Sequence, residues 1–246
     1  MAIPDVLGSL LVQTVKDHAL RGAVLMLGRQ GFVGSRKGRS AEQFAATIAK
    51  YLPGLTEDDL RNPEDQYSER FFQSLGFDSV DSLDFSDFEG ASIIHDLSKP
   101  VGDDLAARFD VIYDGGTCEH VFELPTAYRN IDRMLRPGGV LIGHSPCNNW
   151  INHGFYQISP EMVYGFWQKA MGYEILDLLL QPTLPAFAQK VARTTNPNVT
   201  GVRPRIKGDL PNNSPLILHY VVQKPATGGL SGHAYQTDYQ LKWNSK

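Results

Sequence analysis

The segment from Arg108 to Asn149 leaves few folds open. Phe109–Tyr113 is a short apolar run interrupted only by Asp110. It ends in Asp114-Gly115-Gly116, the pattern of a buried strand running out into a tight turn. Leu124, Ala127, Tyr128, Ile131, Met134 and Leu135 then recur at helical spacing, which predicts a helix over 124–135 with one apolar face. Arg133 and Arg136 fall in its last turn, where positive charge suits the helix dipole. Pro137-Gly138-Gly139 predicts a stop and a turn into a second buried strand, Val140–Gly143. Strand, helix, turn and strand make a βαβ unit, and polar residues just past its strand ends belong to the ligand edge of the sheet. Those residues are Asp114, Thr117, Glu119 and His120 after the first strand, and His144, Ser145, Asn148 and Asn149 after the second.

The same segment resembles the fourth strand, helix and fifth strand of class I S-adenosylmethionine-dependent methyltransferases. In that family an L-(K/R)-P-G-G sequence commonly closes the helix, here Leu135-Arg136-Pro137-Gly138-Gly139. A Glu-His pair often follows the fourth strand, here Glu119-His120. The resemblance spans roughly residues 20–180, with its strong motifs in 79–146. It implies an α/β, doubly wound, mostly parallel Rossmann-like sheet with helices on both faces, and S-adenosylmethionine as cofactor.

A chain of 246 residues can bury a full core as a single domain, with the sheet over about 20–223, an insertion at 181–215 and a tail at 224–246. Formal net charge is −4 and the sequence pI about 6.0, so nothing favours nucleic acid or an anionic membrane as partner. The two cysteines, Cys118 and Cys147, form no disulfide framework or metal-ligand spacing, which predicts a cytoplasmic protein. The N-terminal residues read as no signal peptide, and no apolar run reaches the ~20 residues of a membrane span.

Taken in order, Val6–Leu20 predicts an amphipathic helix and Ala23–Leu27 a first strand. Gly28, Gly31 and Gly34 form a glycine-rich turn where nucleotide-binding α/β folds place theirs. The family pattern E/D-x-G-x-G-x-G falls on Met26, Gly28, Gln30 and Phe32, so only Gly28 matches and the acidic position is Met26. The resemblance implies Gly28, Gln30 and Gly31 as the cofactor loop. Ser40–Gln43 has the spacing of a capping box, and Ser68–Leu75 ends at Gly76, a good helix stop. Between them Pro53–Gln66 is an insertion. Arg36, Lys37 and Arg39 are read either as a solvated loop or as an anion contact.

Ser79–Phe85 alternates as a second strand, and Ala91–Ile94 is a short third. By resemblance Asp84, with Phe85 beside it, receives the two ribose hydroxyls; Asp81 is the alternative in a shifted register. Asp96 would receive the adenine amino group, Leu97 would lie against the ring, and Asp114-Gly115 would complete the cofactor edge.

Beyond the central unit, residues 148–157 are rich in Asn, His, aromatics and Gln, either a wall for an acceptor or an ordinary ordered loop. Ser159-Pro160 opens a helix reaching Gly172, and Glu174–Leu180 and Leu216–Val222 are the last strands. Gln181–Pro215 between them contains six prolines and exceeds any hairpin, which predicts a lid or a subunit contact and leaves a homodimer open. The tail either packs on the domain or is disordered.

Histidine suits the base that a hydroxyl acceptor needs. His153 and His144 rank ahead of His120, the residue of the family's Glu-His pair. Glu119, His120 and His144 lack the spacing of a metal site, so no metal is expected. The leading reading is O-methylation of a small-molecule or saccharide hydroxyl. The alternatives are a non-catalytic protein that kept the fold and, more weakly, another nucleotide-dependent enzyme such as a dehydrogenase.

Overall fold

The computed structural model describes residues 2–35, 37–227 and 234–244. Arg36, of the basic cluster read from the sequence, and parts of the tail lie outside them. Seven strands form the main sheet: β1 (Gly22–Leu27), β2 (Phe77–Asp84), β3 (Ile93–Ile94), β4 (Phe109–Asp114), β5 (Leu135–Asn148), β6 (Glu174–Pro182) and β7 (Leu216–Gln223). Their spatial order is β3-β2-β1-β4-β5-β7-β6. The first five are parallel, and β7 runs antiparallel to both β5 and β6. The order reverses between β1 and β4. A crevice opens at such a switch point, outside the carboxyl ends of the strands.

Alternation along β1 sends Val24 and Met26 to one face and Leu25 and Leu27 to the other, all four fully buried. On the first face lie α1 (Asp5–Asp17), α2 (Arg39–Tyr51) and α3 (Glu69–Leu75), through Leu11, Val15, Phe44, Ile48, Phe71 and Phe72. On the second lie α4 (Leu124–Met134) and α5 (Met162–Ala170), through Tyr128, Ile131, Val163 and Trp167. The doubly wound sheet with both faces covered is the architecture expected from the sequence.

Several local expectations are corrected. Ser40 caps nothing. The residue before α2 is Gly38, and the Ser40 hydroxyl donates to Asp5 Oδ2 at 3.1 Å. A buried carboxylate needs donors more than an exposed helix end needs a cap, and Asp5 collects the Ser35 amide as well. The Pro137-Gly138-Gly139 turn does not precede β5 but bulges out of it. Phe109 pairs with Leu135 and Val111 already with Val140, so the strand begins before the turn. The helix after Ser159 is wound as a π-helix over 162–170, with Met171 N–H bonded to the Phe166 carbonyl at 2.9 Å. That winding lets both Phe166 and Trp167 pack on Tyr128, ring centroids 5.6 and 5.2 Å away.

The 181–215 insertion is folded. Arg193–Thr194 pairs with Ile206–Lys207, and Asn198 Nδ2 donates to the Tyr164 carbonyl and to Gln168 of α5. The described part of the tail ends in α6 (Thr237–Asn244), whose first amide donates to Glu161 and whose Asp238 accepts from Arg203 Nε at 3.0 Å. Among the described residues no helix is long and apolar enough to cross a membrane.

Candidate cofactor and acceptor site

At the carboxyl edge, the Leu27 carbonyl that ends β1 receives Thr117 Oγ1 at 2.6 Å and Gln30 Nε2 at 2.8 Å. These bonds tie the turns after β1 and β4 together. Beside them is a cavity of about 350 Å³ lined by Leu83, Asp84, Phe85, His95–Ser98, Thr117 and His120–Phe122. Asp84, Phe85, Asp96 and Leu97, four residues the sequence assigned to the nucleoside, are thus brought to one wall. Asp84 Oδ1 accepts the Phe85 amide at 2.6 Å, and Phe85 and Phe122 stand exposed at the rim. Asp96 is more committed than expected. Its Oδ1 takes the Ser98 amide and hydroxyl and its Oδ2 faces Lys99 at 3.3 Å, and the Ser98 hydroxyl bond leads in holding the carboxyl below its ordinary range. The 97–101 segment is held from behind by buried Asn130, which receives the Val101 amide and donates to the Leu97 and Lys99 carbonyls.

The glycine-rich turn departs from the expected loop. Met26, in the acidic position of the family pattern, points into the core, where Ser68 Oγ lies 3.1 Å from its sulfur. Gly31, expected at the cofactor, is instead committed to pairing: Gly31–Phe32 runs parallel to Ala2–Ile3, and Phe32 stacks on Phe71 at 4.8 Å. An aromatic at position 32 has a core to fill, and it draws the backbone with it. Arg29 is held by Glu69 at 2.7 Å and lies over the Tyr67 ring. Gln30 remains at the edge, fully buried against Gly28 and Gly115, with Oε1 lacking a partner; Asp114 Oδ2 is likewise buried and unpartnered. Two orphaned acceptors at the ends of β1 and β4 fit the ammonium of a bound amino acid.

The histidines separate into two groups. His144 is buried, with Nδ1 3.1 Å from the Tyr113 hydroxyl and Nε2 2.8 Å from His219 Nδ1. Both ring nitrogens are engaged, so the structure leaves this base candidate no free site. Burial holds it well below the ordinary histidine value. His120 and His153 meet instead over Glu119. Their rings are 4.8 Å apart, and His153 Nε2 is 3.6 Å from Glu119 Oε1. The 150–156 loop is bound down by Phe155 and Tyr156 amides on the Glu119 carbonyl. Gly154 allows this approach: its φ is +69°, and a Cβ there would lie 3.0 Å from that same carbonyl oxygen. Burial, then the neighbouring Asp114, pushes the Glu119 carboxyl up to about 8, and burial, then His153, lowers His120. A second cavity of about 240 Å³ is lined by Glu119, His144 and His153 and also by Ala2, Pro4, Gly115 and Trp150. Thr117 was placed at the ligand edge from the sequence but given no role, and the buried His219 was not foreseen. Thr117 had a weak signal as a polar residue past a strand end, whereas a lone histidine within an apolar strand has none.

A Rossmann-like sheet in this strand order, with a cavity at its switch point, has the architecture of nucleotide-binding α/β domains. Residues 91–143 match the family model described as a methyltransferase domain. The match falls on β3, β4, α4 and most of β5, the segment whose sequence resembles class I S-adenosylmethionine-dependent methyltransferases. No curated protein matches the chain by sequence. Among solved structures it is similar to a Burkholderia thailandensis 1,6-didemethyltoxoflavin-N1-methyltransferase bound to its substrate and S-adenosylhomocysteine (13% identity, 89% of this chain and 76% of that one, TM-score 0.45). It is also similar to the cyclase SpnF (14%, 89% and 81%, TM-score 0.46) and to the N-methyltransferase NodS of Bradyrhizobium japonicum WM9 (11%, 88% and 85%, TM-score 0.42).

Proposed function

We propose that the chain methylates a hydroxyl oxygen of a small-molecule or saccharide acceptor. The observation that carries this reading is the Glu119–His120–His153 cluster, which stands between the two cavities: His120 lines the first, Glu119 and His153 the second. Asp84 would hold the ribose hydroxyls, Leu97 the adenine face, and Gln30 Oε1 with Asp114 Oδ2 the ammonium. When bound, S-adenosylmethionine supplies a methyl carbon on a sulfonium, and the C–S electron pair leaves to sulfur as the acceptor oxygen takes the methyl.

The chain's own residues align the acceptor and take its proton. His153, half-exposed and steadied by Glu119, is placed to receive that proton, while His144 keeps the cavity wall rigid through Tyr113 and His219. At about 240 Å³ the second cavity is below the ~300 Å³ lower end of ordinary ligand pockets, so it takes one ring or a short chain of the acceptor. The formal charge of −4 favours such an acceptor over nucleic acid. The unpaired thiols of Cys118 and Cys147 fit a reducing, cytoplasmic setting.

Calorimetric titration with S-adenosylhomocysteine, followed by a screen of hydroxyl acceptors, tests the proposal. Binding should be micromolar and lost in Asp84→Ala. His153→Gln should keep that binding and lower turnover by about 10²–10⁴-fold, the range for a general base. Absence of binding up to millimolar ligand, or methyl transfer to amines alone, would refute it.

A further inference from the structure

We infer that Glu119, His120 and His153 form a binding site for a divalent first-row transition-metal cation, through which the acceptor is held by two adjacent oxygens. This rests on the methyltransferase reading and assigns the acceptor class of the same site. One ligand atom from each of the three side chains lies within 4.8 Å of the other two. Ligands about 2.1 Å from a shared cation stand about 3.4 Å apart in a tetrahedral site and at most about 4.2 Å apart when trans, so the longest separation has to contract by roughly 0.6–1.4 Å, within reach of side-chain rotation.

The donor set is two imidazoles and one carboxylate. It suits zinc, manganese, iron(II) or cobalt and is a poor match for magnesium, which prefers oxygen. Glu119 supplies an independent sign of a missing partner: the residue is 1% exposed, and its Oε2 has no hydrogen bond. A buried carboxylate oxygen without a donor is costly, and a cation satisfies it.

The placement of the three groups is set by backbone rather than by flexible side chains alone. His120 N–H closes a turn on the Thr117 carbonyl, and Phe155 N–H binds the Glu119 carbonyl at 2.8 Å. That bond locks the loop carrying His153 onto the turn carrying the other two ligands. Sequence spacing does not reveal the site, because His153 arrives from the far end of β5. The histidine considered with Glu119 and His120 from sequence, His144, is spent on Tyr113 and His219.

Three protein ligands leave at least one coordination position open, and two or more when the cation is five- or six-coordinate. The second cavity lies directly against Glu119 and His153. A cation there would favour acceptors that present two neighbouring oxygens, such as a vicinal diol of a sugar or a catechol, over isolated alcohols. With the cation bound, the three side chains are its ligands; stripped of it, His153 is the base described above.

The test uses the full chain, freed of metal with a chelator and dialysed, and titrated with Co²⁺ while its visible absorption is followed. One saturable equivalent is expected, displaced by Zn²⁺. His120→Asn and His153→Gln should each weaken binding at least about tenfold, with unchanged melting of the metal-free proteins showing that both variants fold. A vicinal diol should then shift the cobalt bands, whereas the matching mono-alcohol should not. No bands up to millimolar Co²⁺, full-strength binding by both variants, or an unshifted spectrum with diols would each overturn the inference. S-adenosylhomocysteine binding measured in chelator keeps the two readings apart. Its presence without cobalt binding refutes only the metal site, and its absence beside cobalt binding refutes only the methyltransferase reading.

Discussion

The buried pair His144 and His219 should make this protein sensitive to mild acid. Their rings form a chain from the Tyr113 hydroxyl through His144 and His219 to Thr14 Oγ1, the last step 3.4 Å, and both are removed from water. Burial leads in pushing both down, His219 to about 4 and His144 well below its ordinary value. Around His219, Asp177 partly opposes that fall, while Arg193 and His18 add to it. In the unfolded chain each titrates near 6.5. Between about pH 6.5 and 4 the unfolded state therefore binds protons that the folded state refuses. Stability is full above 6.5 and falls with pH through that window. At pH 5 the linkage from His219 alone is about 2 kcal/mol, and His144 adds to it in the same direction.

Urea unfolding at pH 7 and pH 5 measures this directly, in the parent and in a His144→Gln/His219→Gln variant. Replacing both partners avoids leaving one ring nitrogen unpaired, and carboxylates shared by the two proteins drop out of the comparison. The parent should lose at least about 2 kcal/mol more than the variant between the two pH values. Equal losses would refute the assignment of two neutral buried imidazoles.

Other expectations follow from particular contacts. Asn130→Ala removes three bonds behind the wall of the 350 Å³ cavity and should destabilise the fold by about 2–3 kcal/mol while weakening S-adenosylhomocysteine binding in calorimetry; unchanged affinity would separate Asn130 from the cavity. At Gly143 an added Cβ would fall 2.0 Å from the Tyr220 ring, so Gly143→Ala should cost about 1–3 kcal/mol by urea melt, and Gly143→Ala/Tyr220→Leu should recover part of it. Gly154→Ala should push the His153 loop off Glu119, lowering turnover in an acceptor assay with cofactor affinity intact. A parallel loss of both would show that the loop supports the whole edge instead.

The centre of the sheet was legible because β1 and β4 are apolar runs closed by glycine or aspartate and α4 shows clear helical periodicity before β5. The resemblance named Asp84, Phe85, Asp96 and Leu97, and the structure brings them to one cavity because a parallel sheet sends its strand ends to one edge. The glycine turn was misread at Gly31, where the deciding partner, Ala2–Ile3, lies at the other end of a helix and a strand. Histidine roles were beyond local pattern. Whether an imidazole is spent or available depends on cross-strand neighbours such as His219 opposite His144, a register fixed only when β7 pairs with β5. The capping box at Ser40 failed because a distant buried carboxylate, Asp5, competed for the same hydroxyl.

The antiparallel β7 has a consequence for how the molecule comes to be made. β6 reaches the main sheet only through β7, which is threaded between β5 and β6 and follows both in sequence. While the chain emerges from the ribosome, β5 and β6 each wait with an unpaired edge across the whole 181–215 insertion. Such edges invite pairing with other chains. Completion of the sheet is thus a late, non-local event, and a chain broken off before Leu216 would present two open strands rather than a smaller finished fold.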